Sequence, residues 1–375
     1  MNILILCYEF PPLGGGGAKV VHDLSTELTR RGHSIDIVTM GCHGLKKEET
    51  VNGVRLHRIM VARKNIAVCS PFEMIPYVLC AIPCALKLMK TKKYDIINTH
   101  FIYPDGIISF MLTLLTRVPV VVTTHGSDVP GYNPDRFKVL HMILYPLWQI
   151  IVRSVDLIVC PSNGLRTLVV SHHKKARTEV INNGIYIDKY SPQVKKEKSI
   201  LVVTRMFERK GVQFLIRALS SLPIDHAVNI VGDGPYLEDL KALAQKHGVA
   251  VTFWGHLDNK GPTLKELYET SSIFVFTSSM ENFPIVLLEA MSAEMAIITT
   301  RGTGCAEVVG DAALLVQPLS SDEIRRALVK LIEDDALRTA LGKKARERLE
   351  KMFSWDIVCE KYLRVYHSAK KHGKS

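Results

Sequence analysis

The sequence predicts an α/β protein made of two doubly wound, parallel-sheet domains, and three observations carry that expectation. Short runs of β-branched apolar residues recur from end to end, each followed by a longer amphipathic stretch. Near-continuous apolar strands separated by helices belong to parallel sheets covered on both faces. The chain is 375 residues long, more than a single hydrophobic core ordinarily takes. A polar run, Lys195-Lys196-Glu197-Lys198, follows Ser191-Pro192 near mid-chain and suits an exposed linker.

Strands are predicted at 2–7, 34–40, 54–60, 95–99, 119–124, 156–160 and 179–181, with helices such as 18–31 and 104–117 between them. The second half repeats the rhythm at 200–204, 227–231, 251–254, 273–277, 296–299 and 313–316. The expected division is a first domain over 1–188, a second over 189–354, and a terminal helix over 355–375 that packs back towards the first. Open parallel sheets bind ligands beyond the carboxyl ends of their strands, so the expected site is a central cleft faced by both domains.

Composition narrows the class. Charged residues make up 23% and apolar ones 47%, as in a folded rather than a disordered chain. Eight cysteines are scattered without a CxxC pair or a Cys/His metal spacing, which reads as reduced thiols and a cytoplasmic location. The first residues carry no basic region of the secretory kind. Apolar stretches at 78–89 and 139–152 read as too short or too interrupted to span a bilayer. Net charge is +11, and residues 1–190 hold 22 Lys/Arg against 14 Asp/Glu, or +8. That excess is either a solvated basic face or an attraction to anionic lipid head groups or a phosphorylated acceptor. A peripheral place at the inner face of a membrane is consistent with it. Nucleic acid is disfavoured, because no binding module or aromatic–basic interleaving is present.

Several unusual residues fall where strands end. Gly14-Gly15-Gly16-Gly17 follows the first strand and precedes a helix, so its backbone N–H groups could approach a phosphate; a plain flexible turn is the competing reading. His125-Gly126 closes the strand at 119–124, placed to hydrogen-bond a ligand or simply satisfied by backbone. Arg205 and Lys210 straddle the loop after 200–204 and lie near a helix start, where cations oppose the helix dipole and call for an anion. A fork and a point charge together suit a diphosphate. Gly232 belongs to the tight turn Val231-Gly232-Asp233-Gly234-Pro235, whose backbone could line a donor pocket. Glu281 and Glu289 flank Asn282-Phe283-Pro284-Ile285, where Pro284 marks a helix start and backbone N–H groups would face an anion. Their spacing separates them by about 80° around a helix, so they read as two independent hydroxyl acceptors rather than one carboxylate pair. Glu289 lies in an otherwise apolar helix, and an ion pair with Arg205 or Lys210 is the structural alternative to a ligand role.

Taken in order, these motifs resemble family 4 of the retaining glycosyltransferases, also grouped as glycosyl transferases group 1. The resemblance runs from Pro11-Pro12-x-Gly14-Gly15 through Gly32-His33, Asn183-Gly184, Arg205–Lys210-Gly211, the Gly232 turn and the E-x7-E of Glu281 and Glu289 to Glu307-Val308-Val309. It implies a GT-B fold, two Rossmann-like domains facing a cleft, and transfer of a hexose-type sugar from a nucleoside-diphosphate sugar with retention. It also implies that Arg205 and Lys210 neutralise the leaving diphosphate, Glu281 holds sugar hydroxyls and Glu289 the ribose. His125 would lie near the donor sugar, the Gly15–Gly17 loop near the phosphates, and Gly232 with 282–285 would line the donor pocket. No metal and no cofactor are expected. The acceptor, a glycan, a lipid-linked molecule or a small molecule, would be read by first-domain loops such as 63–70 and 131–136. Two departures concern donor contacts: Pro284 stands where glycine is common, and 302–306 reads as a longer loop than usual. A nucleotide-sugar epimerase and a non-catalytic nucleotide-sugar-binding subunit are the competing functions. The E-x7-E pattern weighs against the first, and the presence of Arg205, Lys210 and Glu281 against the second.

Overall fold

In the computed structural model, which describes residues 1–64, 66 and 69–372, the chain divides into two compact units. One comprises Met1–Asn183 with the terminal segment from Trp355, the other Gly184–Ser354. Asn65, Ala67 and Val68 of the expected acceptor loop lie outside the described residues.

The first unit holds an eight-stranded sheet of β1 (Asn2–Leu6), β2 (Ser34–Gly41), β3 (Glu48–Val51), β4 (Val54–Met60), β5 (Ile96–His100), β6 (Val120–Thr123), β7 (Leu157–Cys160) and β8 (Thr178–Val180). Their spatial order is β3-β4-β2-β1-β5-β6-β7-β8. Ile3, Leu4, Ile5 and Leu6 of β1 are all fully buried, as a strand covered on both faces requires. The sheet is mixed rather than wholly parallel, because β3 pairs antiparallel with β4. Sequence patterning missed this strand: its residues Glu-Glu-Thr-Val are mostly polar, and the informative signal was the Asn52-Gly53 turn. Both residues adopt positive φ, 51° and 81°, as a two-residue hairpin demands.

The helices of this unit are α1 (Gly16–Arg30), α2 (Pro71–Thr91), α3 (Asp105–Leu115), α4 (Pro134–Ser154) and α5 (Asn163–His172), with a terminal helix over Trp355–His372. The 78–89 stretch is not the short segment expected. A capping box of Ser70 and Glu73 starts α2 upstream at Pro71 and gives it 21 residues. By length and composition alone, α2 could cross a membrane. Its inner stripe, Tyr77, Ala81 and Ala85, is fully buried in the unit. The Tyr77 hydroxyl donates to Asp105 Oδ1 at 2.7 Å, and burial pushes the Asp105 carboxyl up to about 8.

The terminal helix is held on this unit by Asn98 Nδ2, which donates to the Tyr366 hydroxyl at 2.7 Å, and by Arg31 paired with Asp356 at 2.6 Å. Residues 184–188, assigned to the first domain by the sequence, belong to the second unit. The Ile185 N–H donates to Phe353 O, and Ile187 O accepts from Ser292 and Arg346.

The second unit is a six-stranded sheet of β9 (Glu197–Val203), β10 (Ala227–Val231), β11 (Thr252–Gly255), β12 (Ser271–Phe276), β13 (Ala296–Thr300) and β14 (Leu314–Val316), in the order β11-β10-β9-β12-β13-β14. Every pairing is parallel. Its helices are α6 (Val212–Leu219), α7 (Leu237–Lys246), α8 (Pro262–Thr270), α9 (Ile285–Ser292), α10 (Gly304–Val309), α11 (Ser321–Glu333) and α12 (Asp335–Met352), so the terminal helix is α13. Leu201 and Phe274 enter one core with Leu287 of α9 and Leu349 of α12. Ile200, Val202 and Ile273 enter another with Leu215 of α6 and Leu328 of α11. The alternation along each strand fills both faces of the sheet.

Candidate functional site

In the second unit the strand order reverses between β9 and β12, the place where a doubly wound sheet opens a ligand crevice. The predicted residues of this unit cluster there. Arg205 is exposed two positions beyond β9, its guanidinium 5.6 Å from the Phe207 ring centre. Lys210 ends a 3₁₀ turn over Glu208–Lys210 and is buried. Its ammonium forms an ion pair with Glu281 from the loop after β12 and lies 5.5 Å from the Phe276 ring centre. Lys210 and Glu281, read from the sequence as contacting different parts of a ligand, thus touch each other.

The two loops are tied together through their backbones. The Ser279 N–H and hydroxyl both donate to Arg209 O, at 2.9 and 3.1 Å. The Thr277 hydroxyl donates to Gly211 O at 3.1 Å. The 302–306 segment is not all loop: the Thr303 hydroxyl accepts from the Cys305 N–H at 3.1 Å and starts α10 at Gly304. Gly304 donates to Glu281 O at 2.9 Å, and a β-carbon there would lie 1.6 Å from Asn282 O. Pro284 caps α9, with Asn282, Phe283 and Pro284 buried and Ile285 half-buried. Gly232, at φ 131°, passes so close to the β9 loop that a β-carbon would lie 1.7 Å from Thr204 O.

Glu289 is 4% exposed and forms an ion pair with Lys189, whereas Lys210, one of the two partners considered from the sequence, pairs with Glu281. The Tyr268 hydroxyl donates to its second oxygen at 3.0 Å. Lys189 and Tyr268 carried no signal in the sequence, since they lie 100 and 21 positions away and meet Glu289 only through the fold.

The first unit has its own strand-end cluster, beside the reversal between β1 and β5. Gly15 caps α1, while Gly16 and Gly17 already lie in its first turn. A β-carbon on Gly17 would lie 2.8 Å from the Phe101 ring and 3.5 Å from His125 Nδ1. His125 packs against Phe101 with ring centres 4.3 Å apart and the rings tilted by 33°, and it shares a 3.0 Å hydrogen bond with His100. His100 and Phe101 were missed, although Phe101 takes the unusual φ of 72° just beyond β5. Burial pulls the His125 imidazole down to about 3, so it is neutral around pH 7. The Asp128 carboxylate positions it by accepting from the N–H groups of His125 and Gly126, both at 2.9 Å. Among the described residues, no group of three or more His, Cys, Asp or Glu side chains could hold a metal ion.

Two family descriptions match the chain along consecutive stretches: Glycosyltransferase Family 4 over residues 14–189 and Glycosyl transferases group 1 over 187–348. The chain belongs to the group 1, family 4 glycosyltransferases. The transferase is 24% identical to N-acetyl-alpha-D-glucosaminyl L-malate synthase of Bacillus anthracis, over 100% of this chain and 99% of that one. Its structure is similar to sucrose-phosphate synthase from Thermosynechococcus elongatus, with a TM-score of 0.82, 20% identity and 98% of both chains covered. It is also similar to Anabaena HepE in complex with UDP-glucose, at a TM-score of 0.76 and 20% identity, covering 98% of this chain and 100% of that one. The fold of the transferase is GT-B, and the enzyme moves a sugar from a nucleotide-sugar donor.

Proposed function

We propose that the enzyme transfers a hexose-type sugar from a nucleoside-diphosphate donor with retention at the anomeric carbon, in the cytoplasm, to a glycan, lipid-linked or small-molecule acceptor. The observation that carries this reading is the ion pair of Lys210 with Glu281 at the strand reversal of the second unit, with Arg205 on the same loop after β9. Arg205 and Lys210 would stabilise the diphosphate as the C1–O bond breaks and its electron pair moves onto phosphate, the largest usual contribution in such sites. Glu281 would hold both the Lys210 ammonium and a sugar hydroxyl. The backbone of Gly232 and of Asn282, Phe283, Pro284 and Ile285 would line the donor pocket, and Glu289 would accept from a ribose hydroxyl. Gly15, Gly16 and Gly17 are assigned to phosphate and neutral His125 to the sugar. Same-face attack by the acceptor oxygen would pass its proton to the departing phosphate, which requires neither an enzymic base nor a metal.

The test is to incubate the enzyme with a panel of nucleoside-diphosphate sugars, UDP-glucose among them, and acceptors of the three classes, reading product anomers by NMR. A glycoside with the donor's anomeric configuration is the expected product. Inverted product would overturn retention, and a donor changed at another sugar carbon without transfer would favour epimerisation. Glu289→Ala is expected to weaken nucleotide binding by calorimetry. Unchanged affinity with a lowered melting temperature would reduce Glu289 to the structural partner of Lys189 and Tyr268.

A further inference from the structure

Among the described residues, most of the exposed large apolar side chains lie on the first unit, chiefly on three helices packed in sequence, and such a concentration marks a surface that meets a partner. On α2 the outward stripe begins with Phe72, Ile75 and Leu79, which are 84%, 58% and 67% exposed. Packed beside it, α3 presents Met111, Leu114 and Leu115. Next to α3, α4 presents Val139, Met142 and Ile143 with Ile150 further along. Each helix turns its opposite side inwards: Tyr77 and Ala81 of α2, Ile108 and Leu112 of α3, and Trp148 and Ile151 of α4 are buried.

Charge is sorted on the same face. The outward stripe of α2 changes from apolar to basic at Lys87 and Lys90 in its last turns, and Lys93 follows just beyond the helix. Arg117 follows α3, and Arg153 lies on α4 one turn beyond Ile150. Arg153 also lines a pocket with His172, Lys174 and Lys175, which adds cationic groups beside the apolar stripe. The three helices contain only three acidic residues, Glu73, Asp105 and Asp135. Of these, Glu73 is engaged in the α2 cap and Asp105 is buried.

The geometry points to this three-helix face as a docking surface for an anionic lipid bilayer, with the apolar stripes inserted among the acyl chains and the basic groups on head-group phosphates. Apolar insertion and cationic attraction add, which is how peripheral proteins hold to such membranes. Because α2 is bonded through Tyr77 to Asp105 and buried along its inner stripe, it lies on the bilayer as part of the unit rather than crossing it. The surface is independent of the sugar-transfer reading and stands or falls by itself.

The test is co-sedimentation of the full chain with vesicles of phosphatidylcholine alone or with about 30 mol% of the anionic lipid phosphatidylglycerol. Binding is expected to the anionic vesicles at low salt, with release at high salt. Lys87→Gln with Lys90→Gln should lower the partition coefficient by at least about tenfold. Leu79→Ser with Leu114→Ser and Met142→Ser should do the same, with circular dichroism and melting curves confirming the fold of each variant. The exposed lysine pair keeps the test informative if the apolar triple variant does not fold. No binding at low salt, or equal binding by wild type and both variants, would overturn the proposal. So would retention on the vesicles through an alkaline carbonate wash, which marks a crossing helix. A concentration-dependent dimer abolished by the apolar substitutions, without vesicle binding, would assign the face to a second copy of the chain instead.

Discussion

Alanine at Lys210 is expected to lower turnover by on the order of 10²-fold or more, the usual effect of removing one charge that stabilises a developing oxyanion. The same change strips Glu281 of its ion-pair partner, and leaving a partly buried carboxylate unpaired costs up to about 3 kcal/mol of stability. Rate and stability must therefore be read separately. Lys210→Met combined with Glu281→Gln removes both charges, so its melting temperature should recover while turnover stays low. Near-normal kcat in Lys210→Ala would end the proposed role of this residue. A rate deficit that vanished in the double variant would reduce Lys210 to a structural partner of Glu281.

The second large effect is expected at Gly232. Alanine there would place its methyl 1.7 Å from Thr204 O at a φ of 131°, so either the β9 loop carrying Arg205 moves or the second unit fails to close. A loss on the order of 3 kcal/mol or more is expected in denaturant unfolding. Gly15→Ala is the contrasting variant, because nothing lies within 4 Å of its added carbon and stability should be nearly unchanged. Equal stability of the two variants would show that the turn at Gly232 has room the structure does not display.

Much of this architecture was legible because it rests on local pattern. The β-branched runs that became β1, β9 and β12 are buried on both faces, so their composition announces them without knowledge of their neighbours. The polar edge strand β3 has no such composition, and only its Asn52-Gly53 turn marks it. The Pro71 start of α2 was hidden for a related reason. Two internal prolines, Pro76 and Pro83, make the helix look interrupted, whereas the Ser70–Glu73 cap and the packed inner stripe hold it continuous. In the candidate site, residues that share a short motif were readable, among them Arg205 with Lys210 and Glu281 with Glu289. Their partners were not. Lys189 reaches Glu289 from 100 positions away, and His100 reaches His125 across the gap between adjacent strands. Such pairings are decided by strand order, which no local spacing encodes.

The placement of α13 has a consequence for how the molecule comes into being. Asn98 of β5 and Thr123 of β6 contact tyrosine hydroxyls of α13, Tyr366 and Tyr362, on the far side in sequence of the whole second unit. A nascent chain leaves the ribosome from its amino end, so the second unit has every residue it needs while the first still lacks one wall. Tyr362 and Tyr366 are the covering for polar groups buried in the middle of the first sheet, and until they emerge those groups face water. The earlier-made half of the chain is thus the later one to finish folding.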